Sequence, residues 1–463
     1  MLRDIGEGLV GYSASGTLIG GAAESWTISD DGLRYTFRIR DNARWSNGDP
    51  LLASDFIYGW KRALHPDFAA DYVALFFCIA GAEDFYKWRA EQLATFAAQP
   101  GGDAEKLWQD TQERFASTVG LSAPDERTLV VTLRQPTPYF SELAAFAAFS
   151  PIHEKTAKEF VSISPTSGAA GMDSAYFREP TLLVCNGPYV LKEWLFKQRV
   201  TLDANAQWWN RENMGNDRVT MIVVTEPTSA ILRYERGEVD WYPGLPTTLG
   251  QAADIVKSGR SDVHYQPAAG TYFYALNCQP QANGQPNPLA DVRVRQALSL
   301  AVDRKNLVEN VTRLNQPIAM TFTPPYAIPG YDAPVEAGLS FDVEKARQLL
   351  ADAGYPGGKG IPPIKILFNT HEGHRQVATV VARQLASITR VRDTAFLVQA
   401  AAAVEQGRAY QAGGAPHRRR ARPRVRPSSC APAGSAGRRR TSPPVSARSR
   451  PPPRSPSRRP RGR

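Results

Sequence analysis

Two short stretches of the chain alternate apolar and polar residues with a period of two. This period is typical of a strand with one buried face, because successive side chains of a strand point to opposite sides. The stretches are RYTFRIR at 34–40, with Tyr35, Phe37 and Ile39 on one face, and RTLVVTL at 127–133, with Leu129, Val131 and Leu133 on one face. We expect both to form half-buried strands.

Other stretches repeat apolar residues with the period of a helix. Asp342 stands where an N-cap is expected, and Gly354 and Pro356 stand where the helix should stop. One apolar stripe lies between them: Val343, Ala346, Leu349, Leu350 and Ala353. The same reasoning predicts a second capped helix from Asp291 over DVRVRQALSLAVDRKNLVENV, and a third over HRQVATVVARQLASITR at 374–390. Strands and helices together predict an α/β chain without internal repeats.

Length and composition narrow the class of protein. About 390 of the 463 residues are expected to be ordered, which is more than a single hydrophobic core accommodates, so two or more lobes are expected. The longest uncharged apolar stretch, VALFFCIAGA at 73–82, is too short to cross a bilayer. The opening MLRDIGEG lacks the basic and apolar regions of a signal peptide, so we expect no export signal in the chain as written. The four cysteines show no spacing typical of a zinc site or a disulfide framework: Cys78, Cys185, Cys278 and Cys430.

The charge of the chain is divided unevenly. Sixteen of its 55 basic residues are arginines between Pro416 and Arg463, a segment without lysine, aspartate or glutamate. Residues 1–415 hold 39 basic and 45 acidic side chains, so they are mildly acidic and show no basic stripe. The terminal segment also holds eleven prolines and eight serines. With two valines as its only sizeable apolar side chains, it cannot form a core.

Two interpretations of this segment stay open. In the first, the segment is a disordered tail that binds nucleic acid or another partner. In the second, it is the product of a GC-rich gene read in the wrong frame. The second is favoured, because the chain after Arg390 should lead through a short loop into a strand and instead drifts into the arginine-rich segment. We therefore place a break near Arg390, expect residues 391–463 to be disordered, and expect no specific nucleic-acid partner.

Two short motifs offer chemistry, and neither has the right context. GEGLVG, Gly6 to Gly11, fits the glycine fingerprint of dinucleotide-binding proteins but neither follows a strand nor opens a helix. HEGH at 371–374 sets its histidines three apart, short of the H-E-x-x-H spacing that aligns two zinc ligands. The sequence has no nucleophile elbow and no Walker loop. We expect no catalysis, no cofactor and no metal.

Eight stretches between residue 3 and about residue 390 follow one another in an order shared with a known family. The first is RDIGEGLVGYSASGTLIGGAAESWTISDDGLRYTFRIRDNARWSNGDPLLASDFIYGWKRAL at 3–64. The others are NGPYVLKEW (186–194), WWNRENM (208–214), RYERGEVDW (233–241), TYFYALN (271–277), DVRVRQALSLAVDR (291–304), TPPY (323–326) and EKARQLLADAGYPGG (344–358). This series resembles the periplasmic oligopeptide-binding proteins, the receptors of peptide ABC importers.

The resemblance implies a type II periplasmic-binding-protein fold, in which two α/β lobes close on a ligand. It divides the chain into the N-terminal part of the first lobe with an inserted subdomain (1–184), the sheet core of the first lobe (185–268), an incomplete second lobe (269–390) and the tail (391–463). It also implies a periplasmic or extracytoplasmic location, a monomer, and a protein that is not an enzyme.

The resemblance also assigns ligand contacts. A peptide receptor needs a strand edge for the amides, partners for the terminal charges and roomy side-chain pockets. The residues in the matching positions are Tyr72, Tyr272, Phe273, Tyr274, Asn277 and His374. Tyr72 would pack against ligand side chains, Phe273 and Tyr274 would line a strand edge, and His374 would lie near the carboxyl end of longer peptides. A structural role is the alternative for each, since an aromatic residue on a strand more often belongs to the core, and His374 could simply end a strand.

The chain also departs from the family pattern. The family's first strand, and the acidic residue that holds the ligand's ammonium, fall outside the matching stretches. Gly270 stands where some members carry the first cysteine of a disulfide. We therefore expect that the chain as written binds no tri- to pentapeptide at micromolar concentration, and that adding the missing strands would restore binding.

The function implied is capture of oligopeptides between two lobes and their delivery to the permease subunits of an ABC importer. Three alternatives stay open. The first is a receptor of the same fold for another solute, such as a dipeptide or a metal chelate. The second is a non-functional remnant of a frameshifted gene. The third is a nucleic-acid-binding protein that acts through the arginine-rich tail.

Overall fold

The fold is known from a computed structural model. It describes residues 2–99, 101–244, 249–264, 270–324, 331–369, 372–389 and 396–400. In this part of the chain the strands are β1 (Val10–Tyr12), β2 (Leu18–Gly20), β3 (Ala23–Ile28), β4 (Arg34–Ile39), β5 (Leu121–Asp125), β6 (Thr128–Thr132), β7 (Val161–Ile163), β8 (Ala170–Met172), β9 (Tyr189–Leu195), β10 (Arg199–Ala204), β11 (Arg218–Ile222), β12 (Gln281–Ala282), β13 (Gln285–Pro286), β14 (Ile364–Phe368) and β15 (Phe396–Ala400).

The helices alternate with these strands along the chain. They are α1 (Leu2–Ile5), α2 (Ala53–Leu64), α3 (Ala82–Ala98), α4 (Ala104–Thr118), α5 (Phe140–Ala144), α6 (Glu154–Ala157), α7 (Ala175–Arg178), α8 (Pro227–Glu235), α9 (Leu249–Lys257), α10 (Val292–Leu300), α11 (Arg304–Asn306), α12 (Val343–Asp352) and α13 (Glu372–Ala386). In the described part of the chain, no helix combines the length and the apolar character that a bilayer crossing requires.

The four-stranded antiparallel sheet has the order β3-β4-β6-β5. Tyr35 pairs with Val131 and Phe37 with Leu129 in the register of β4 and β6. These four side chains and Ile39 are buried, whereas the residues between them are more exposed. The two strands predicted from alternating apolar residues are therefore confirmed, with the expected face turned to the core.

Aromatic side chains fill the core beneath this sheet. Trp60 on α2 is fully buried, and its Nε1 donates to the carbonyl of Phe149 at 2.8 Å. The rings of Phe76 and Phe149 stack with centroids 4.0 Å apart, and the Trp60 ring meets Phe149 edge-on at 5.2 Å. Phe76 belongs to a short 3-10 turn, Val73–Cys78, so the apolar stretch at 73–82 serves this core.

A buried ion pair joins α3 to the segments around it. The side chains of Arg89 and Asp67 are both fully buried, with Arg89 Nη2 2.7 Å from Asp67 Oδ1. Arg89 also donates to Thr111 Oγ1 at 3.0 Å and to the carbonyl of Gly168 at 2.8 Å. The amide of Ala170 donates to Asp67 Oδ1 at 2.7 Å. One charge pair thus fixes α3, α4 and the start of β8 relative to one another.

The N-terminal segment is fastened to a second sheet, of order β11-β10-β9, through Glu7. The Glu7 amide donates to Asn186 Oδ1 at 3.0 Å, and Asn186 Nδ2 donates to the Glu7 carbonyl at 2.8 Å. Trp209 Nε1 donates to the Glu7 carboxylate at 2.8 Å, while the Arg40 guanidinium lies 3.7 Å from the Trp209 ring centroid. Burial raises the pKa of Glu7 to about 7, although the tryptophan hydrogen bonds and Arg40 oppose this shift.

We predict that Glu7 makes stability depend on pH between about 4.5 and 7. A carboxyl group whose pKa is higher in the folded state binds its proton more tightly there. Its contribution is therefore complete below pH 4.5 and is lost as the pH rises to 7. Glu7→Gln mimics the protonated acid, so this variant should match the wild type at about pH 4 and exceed its stability at about pH 8.

Urea unfolding at the two pH values measures this difference. The control is Glu24→Gln, which changes a carboxylate whose side chain is 47% exposed and should leave the pH profile unchanged. Parallel profiles for Glu7→Gln and the wild type would contradict the assignment.

A second cluster of buried side chains lies in the C-terminal part of the described chain, on α10, α12 and α13. Asp342 caps α12, accepting from the Lys345 amide at 2.9 Å, and Ala346 and Leu350 are fully buried. After the helix ends, Gly354 takes a φ of 93°, which favours glycine. The helix predicted after Asp342 is confirmed.

The helix predicted over 291–311 is wrong in its length. Asp291 caps it as expected, accepting from the Arg293 amide at 2.8 Å, but α10 ends at Leu300. Asp303 then caps a new short helix through the Asn306 amide at 2.9 Å, and its own amide donates to Gln384 Oε1 on α13 at 3.1 Å. This contact with a distant helix breaks a segment whose local sequence favours one continuous helix.

The parallel strands β14 and β15 are connected through α13, in agreement with the helix predicted from residue 374. β15 lies within the range 391–463 that the sequence assigned to the tail. The segment FLVQA forms the strand that is expected to follow α13. The arginine-rich segment 416–463 lies outside the described residues.

Candidate functional site

Three of the residues assigned to ligand binding lie together and form what we call the aromatic cluster: Tyr272, Tyr274 and His374. The ring centroids of Tyr272 and His374 are 5.1 Å apart, and those of Tyr272 and Tyr274 are 5.7 Å apart. The Tyr272 hydroxyl donates to the Tyr274 hydroxyl at 3.4 Å. Folding therefore joins a loop before α10 to a helix about a hundred positions further along the chain.

His374 owes its place to the β14–α13 connection. It lies in the first turn of α13, just beyond the carboxyl end of β14, and Asn369 from the connecting loop contacts its Nδ1 through Oδ1. In open α/β sheets, ligands bind outside the carboxyl ends of parallel strands. The alternative that His374 ends a strand is wrong, because β14 ends at Phe368.

Tyr274 anchors the cluster to the protein. Its ring is half-buried and packs against the second core cluster, whereas Tyr272 is 53% exposed. Burial, followed by the hydrogen bond from Tyr272, raises the pKa of Tyr274 above its usual range. The Tyr274 hydroxyl therefore stays neutral at physiological pH and offers a hydrogen bond to a polar ligand atom.

Phe273 makes its ring contact with Phe322, a residue that the sequence reasoning missed. Their ring centroids are 5.0 Å apart, and the Thr271 hydroxyl donates to the Phe322 carbonyl at 2.7 Å. Phe273 is 56% exposed and Phe322 is 70% exposed. The signal for Phe322 was present, since it directly precedes the TPPY stretch at 323–326 that carries part of the family resemblance.

The expected strand edge at residues 271–277 is not a strand in the structure. Among the described residues no strand pairs with this segment. Asn277 is occupied locally: its Oδ1 accepts from the Gln279 amide at 3.1 Å, and its carbonyl accepts from Asn287 Nδ2 at 2.7 Å. These hydrogen bonds fix the turn that follows the segment. The backbone of residues 271–277 itself makes no inter-strand hydrogen bonds with the other described residues, as it would in a sheet.

Tyr72 lies on the other part of the described chain, at the start of the 3-10 turn Val73–Cys78. It is 55% exposed, and its ring meets Phe146 edge-on with centroids 4.9 Å apart. Phe146 belongs to the segment between α5 and the buried Phe149. Tyr72 is thus an exposed aromatic residue whose ring packs on the core beneath the four-stranded sheet.

The other sequence motifs lie in different surroundings. Gly6 to Gly11 run from the end of α1 into β1, so a helix precedes the strand, the reverse of the dinucleotide fingerprint. Of HEGH, His371 lies outside the described residues. Within the described ranges, no three His, Cys, Asp or Glu side chains are grouped to hold a metal ion.

Comparison with known proteins identifies a family that shares this fold. The family model of the bacterial extracellular solute-binding proteins, family 5 middle, matches residues 17–389. The chain therefore belongs to this family. Its fold class is the two-lobe α/β fold of these binding proteins, as the resemblance implied.

Individual relatives agree with this assignment. The oligopeptide-binding protein OppA of Bacillus subtilis is 31% identical over 389 residues, covering 82% of this chain and 63% of OppA. The structure of a periplasmic oligopeptide-binding protein, OppAIV, of Borrelia burgdorferi matches with a TM-score of 0.69 and 26% identity over 86% of this chain and 70% of that one. Haemophilus influenzae OppA in complex with the peptide RPPGFSPFR matches with a TM-score of 0.66 and 27% identity, covering 86% and 70%.

The matching region is a part of these relatives. The chain spans 63% of the length of Bacillus subtilis OppA. The six residues that the resemblance assigned to a ligand remain a prediction, because their positions alone do not identify what they bind.

Proposed function

We propose that the protein is the substrate-binding component of a peptide ABC importer and that it captures oligopeptides at the aromatic cluster. The observation that carries the proposal is the meeting of Tyr272, Tyr274 and His374 beside a backbone segment with no strand partner in the described chain. An extended peptide adds to such a segment through its main chain, and aromatic rings cover its side chains. Relatives named for oligopeptide binding support the ligand class.

The other parts of the proposal follow from the family. Its members are extracellular, so we propose that the protein acts outside the cytoplasm and transfers its ligand to permease subunits. We propose that it acts as a monomer and is not an enzyme. The division into 1–184, 185–268 and 269–390 belongs to the same proposal, with Tyr72 on the first lobe and the aromatic cluster on the second.

Binding is expected to depend on Tyr272. Saturation-transfer NMR detects weak complexes, so it suits a chain that is expected not to bind at micromolar concentration. We expect saturation of tri- to pentapeptide signals by the wild type, and a loss of about three- to tenfold in affinity for Tyr272→Ala, the effect of removing one aromatic contact.

The matched control is Phe196→Ala. Phe196 is 71% exposed, at the tip of the β9–β10 hairpin and outside the aromatic cluster. Equal losses in the two variants would indicate adhesion of peptides to exposed aromatic residues in general. Absence of saturation at millimolar peptide would contradict peptide capture by this chain.

A further inference from the structure

Two exposed phenylalanine side chains meet at the segment that carries the two tyrosines of the aromatic cluster, and we call them the phenylalanine pair: Phe273 and Phe322. Phe273 is 56% exposed and Phe322 is 70% exposed. Their rings meet edge-on, with an interplanar angle of 67° and centroids 5.0 Å apart. Single exposed apolar side chains are ordinary on protein surfaces, whereas exposed apolar side chains in mutual contact form a patch of the kind that binds a partner.

Hydrogen bonds of neighbouring residues hold the pair in place. The Thr271 hydroxyl donates to the main-chain carbonyl of Phe322 at 2.7 Å. The Thr321 hydroxyl donates to the Thr323 carbonyl at 2.7 Å and so fixes the backbone on both sides of Phe322. Neither hydrogen bond uses a side chain of the pair. The Phe322 ring can therefore be replaced without removing the contacts that position its backbone.

The phenylalanine pair and the aromatic cluster share one segment, because Phe273 lies between Tyr272 and Tyr274. The rings of these two tyrosines are 5.7 Å apart, and their hydroxyl groups are 3.4 Å apart. Contact between residues i and i+2 is that of two side chains on one face of an extended backbone. The same alternation assigns Phe273 to the other face, where its ring meets Phe322. The segment thus presents aromatic rings on two faces.

A peptide that pairs with this segment through its main chain meets both faces. Its side chains also alternate, so those of every second residue lie on the side of the cluster and the others on the side of the phenylalanine pair. The Tyr274 hydroxyl offers a hydrogen bond on the first side. The phenylalanine rings offer none, so a polar side chain that lies on them loses water without gaining a partner. An apolar side chain gains by burying its surface there.

We infer that the phenylalanine pair is a subsite for apolar side chains of the ligand, so that the protein prefers peptides with apolar residues at alternate positions. The inference rests on the proposed function, since it needs a peptide along residues 271–274. The exposed rings cover one side of a ligand side chain and leave its other side in water. Burial of about half of a leucine side chain gives a preference over asparagine of about three- to tenfold in affinity.

The test compares two peptides, Ala-Leu-Ala-Leu and Ala-Asn-Ala-Asn. Leucine and asparagine side chains have the same number and branching of heavy atoms, so the peptides differ mainly in polarity. Saturation-transfer titrations of the wild type should give about three- to tenfold tighter binding of the leucine peptide. Phe322→Ser should reduce this preference to below about twofold, whereas Phe322→Leu should retain most of it, because it keeps an apolar surface at the same backbone position.

Tyr272→Ala separates the two faces of the segment. It should weaken binding of both peptides and keep the preference for leucine, and Phe196→Ala should change neither. A preference that is lost in Tyr272→Ala and kept in Phe322→Ser would assign the apolar side chain to the cluster and overturn the inference. Equal binding of the two peptides by the wild type would also overturn it and leave the proposed function intact. Absence of binding for both peptides would contradict the proposed function itself.

Discussion

Replacing Asp67 by asparagine is expected to destabilise the protein by about 3–5 kcal/mol. The variant leaves the fully buried Arg89 guanidinium without its counter-ion, 2.7 Å from the substituted side chain. It also weakens the acceptor that receives the Ala170 amide. A buried charge that loses its partner keeps its desolvation penalty. The decrease in the free energy of unfolding therefore exceeds the net stabilisation that the intact pair provides.

Urea unfolding of Asp67→Asn and of Asp110→Asn separates a buried pair from a surface pair. Asp110 pairs with Lys106 at 3.0 Å, but both side chains are exposed, so its loss should cost at most about 0.5 kcal/mol. A double variant, Asp67→Asn with Arg89→Met, should recover part of the loss because it removes the unpaired charge. Equal stabilities of Asp67→Asn and the wild type would contradict the role of this pair.

The Asp67 carboxylate also makes the stability of the protein depend on pH in the acid range. Burial alone raises the pKa of Asp67, but contact with His65, the Arg89 guanidinium and the Ala170 amide outweigh it and hold the pKa well below its usual range. The unfolded chain therefore binds this proton more readily. The contribution of Asp67 is present above about pH 4, the ordinary value of an aspartate, and is lost as the pH falls below it.

Replacing Trp60 by alanine is expected to cost about 3–5 kcal/mol. The indole is fully buried and meets the rings of Phe76 and Phe149 edge-on, and its removal leaves a cavity in the core beneath the four-stranded sheet. It also removes the donor to the Phe149 carbonyl, 2.8 Å away, which then lies in an apolar environment without that partner.

Thermal and urea unfolding of Trp60→Ala should be compared with Trp241→Ala. Trp241 is 78% exposed, so its substitution should change the free energy of unfolding by no more than about 0.5 kcal/mol. A loss below about 1 kcal/mol for Trp60→Ala would show that this core rearranges around the deletion and would contradict its close packing.

Local features of the fold were predictable because a local pattern determines them. A strand is the conformation that places the alternating residues Tyr35, Phe37 and Ile39 on one buried face, and β4 has this conformation. A capping aspartate followed by an apolar stripe likewise predicted α12. The helix from Asp291 was too long in the prediction because its end depends on Gln384, 81 positions away, which no local pattern encodes.

The candidate site likewise has features that the sequence indicated and features that only the folded structure shows. Family resemblance named Tyr272, Tyr274 and His374, but nothing in the residues themselves indicated that they meet. Their contact depends on how β14 and α13 place one residue beside a loop about a hundred positions earlier.

Photo-crosslinking tests the central claim, that peptides bind at the aromatic cluster, most directly. A tetrapeptide carrying a benzophenone side chain is irradiated with the protein, and the labelled residues are mapped by mass spectrometry. The account predicts labels on residues 271–277 and at His374, reduced by excess unlabelled peptide and by Tyr272→Ala. Labels concentrated instead on Trp241 or Phe196, which are more exposed, and insensitive to competing peptide would contradict it.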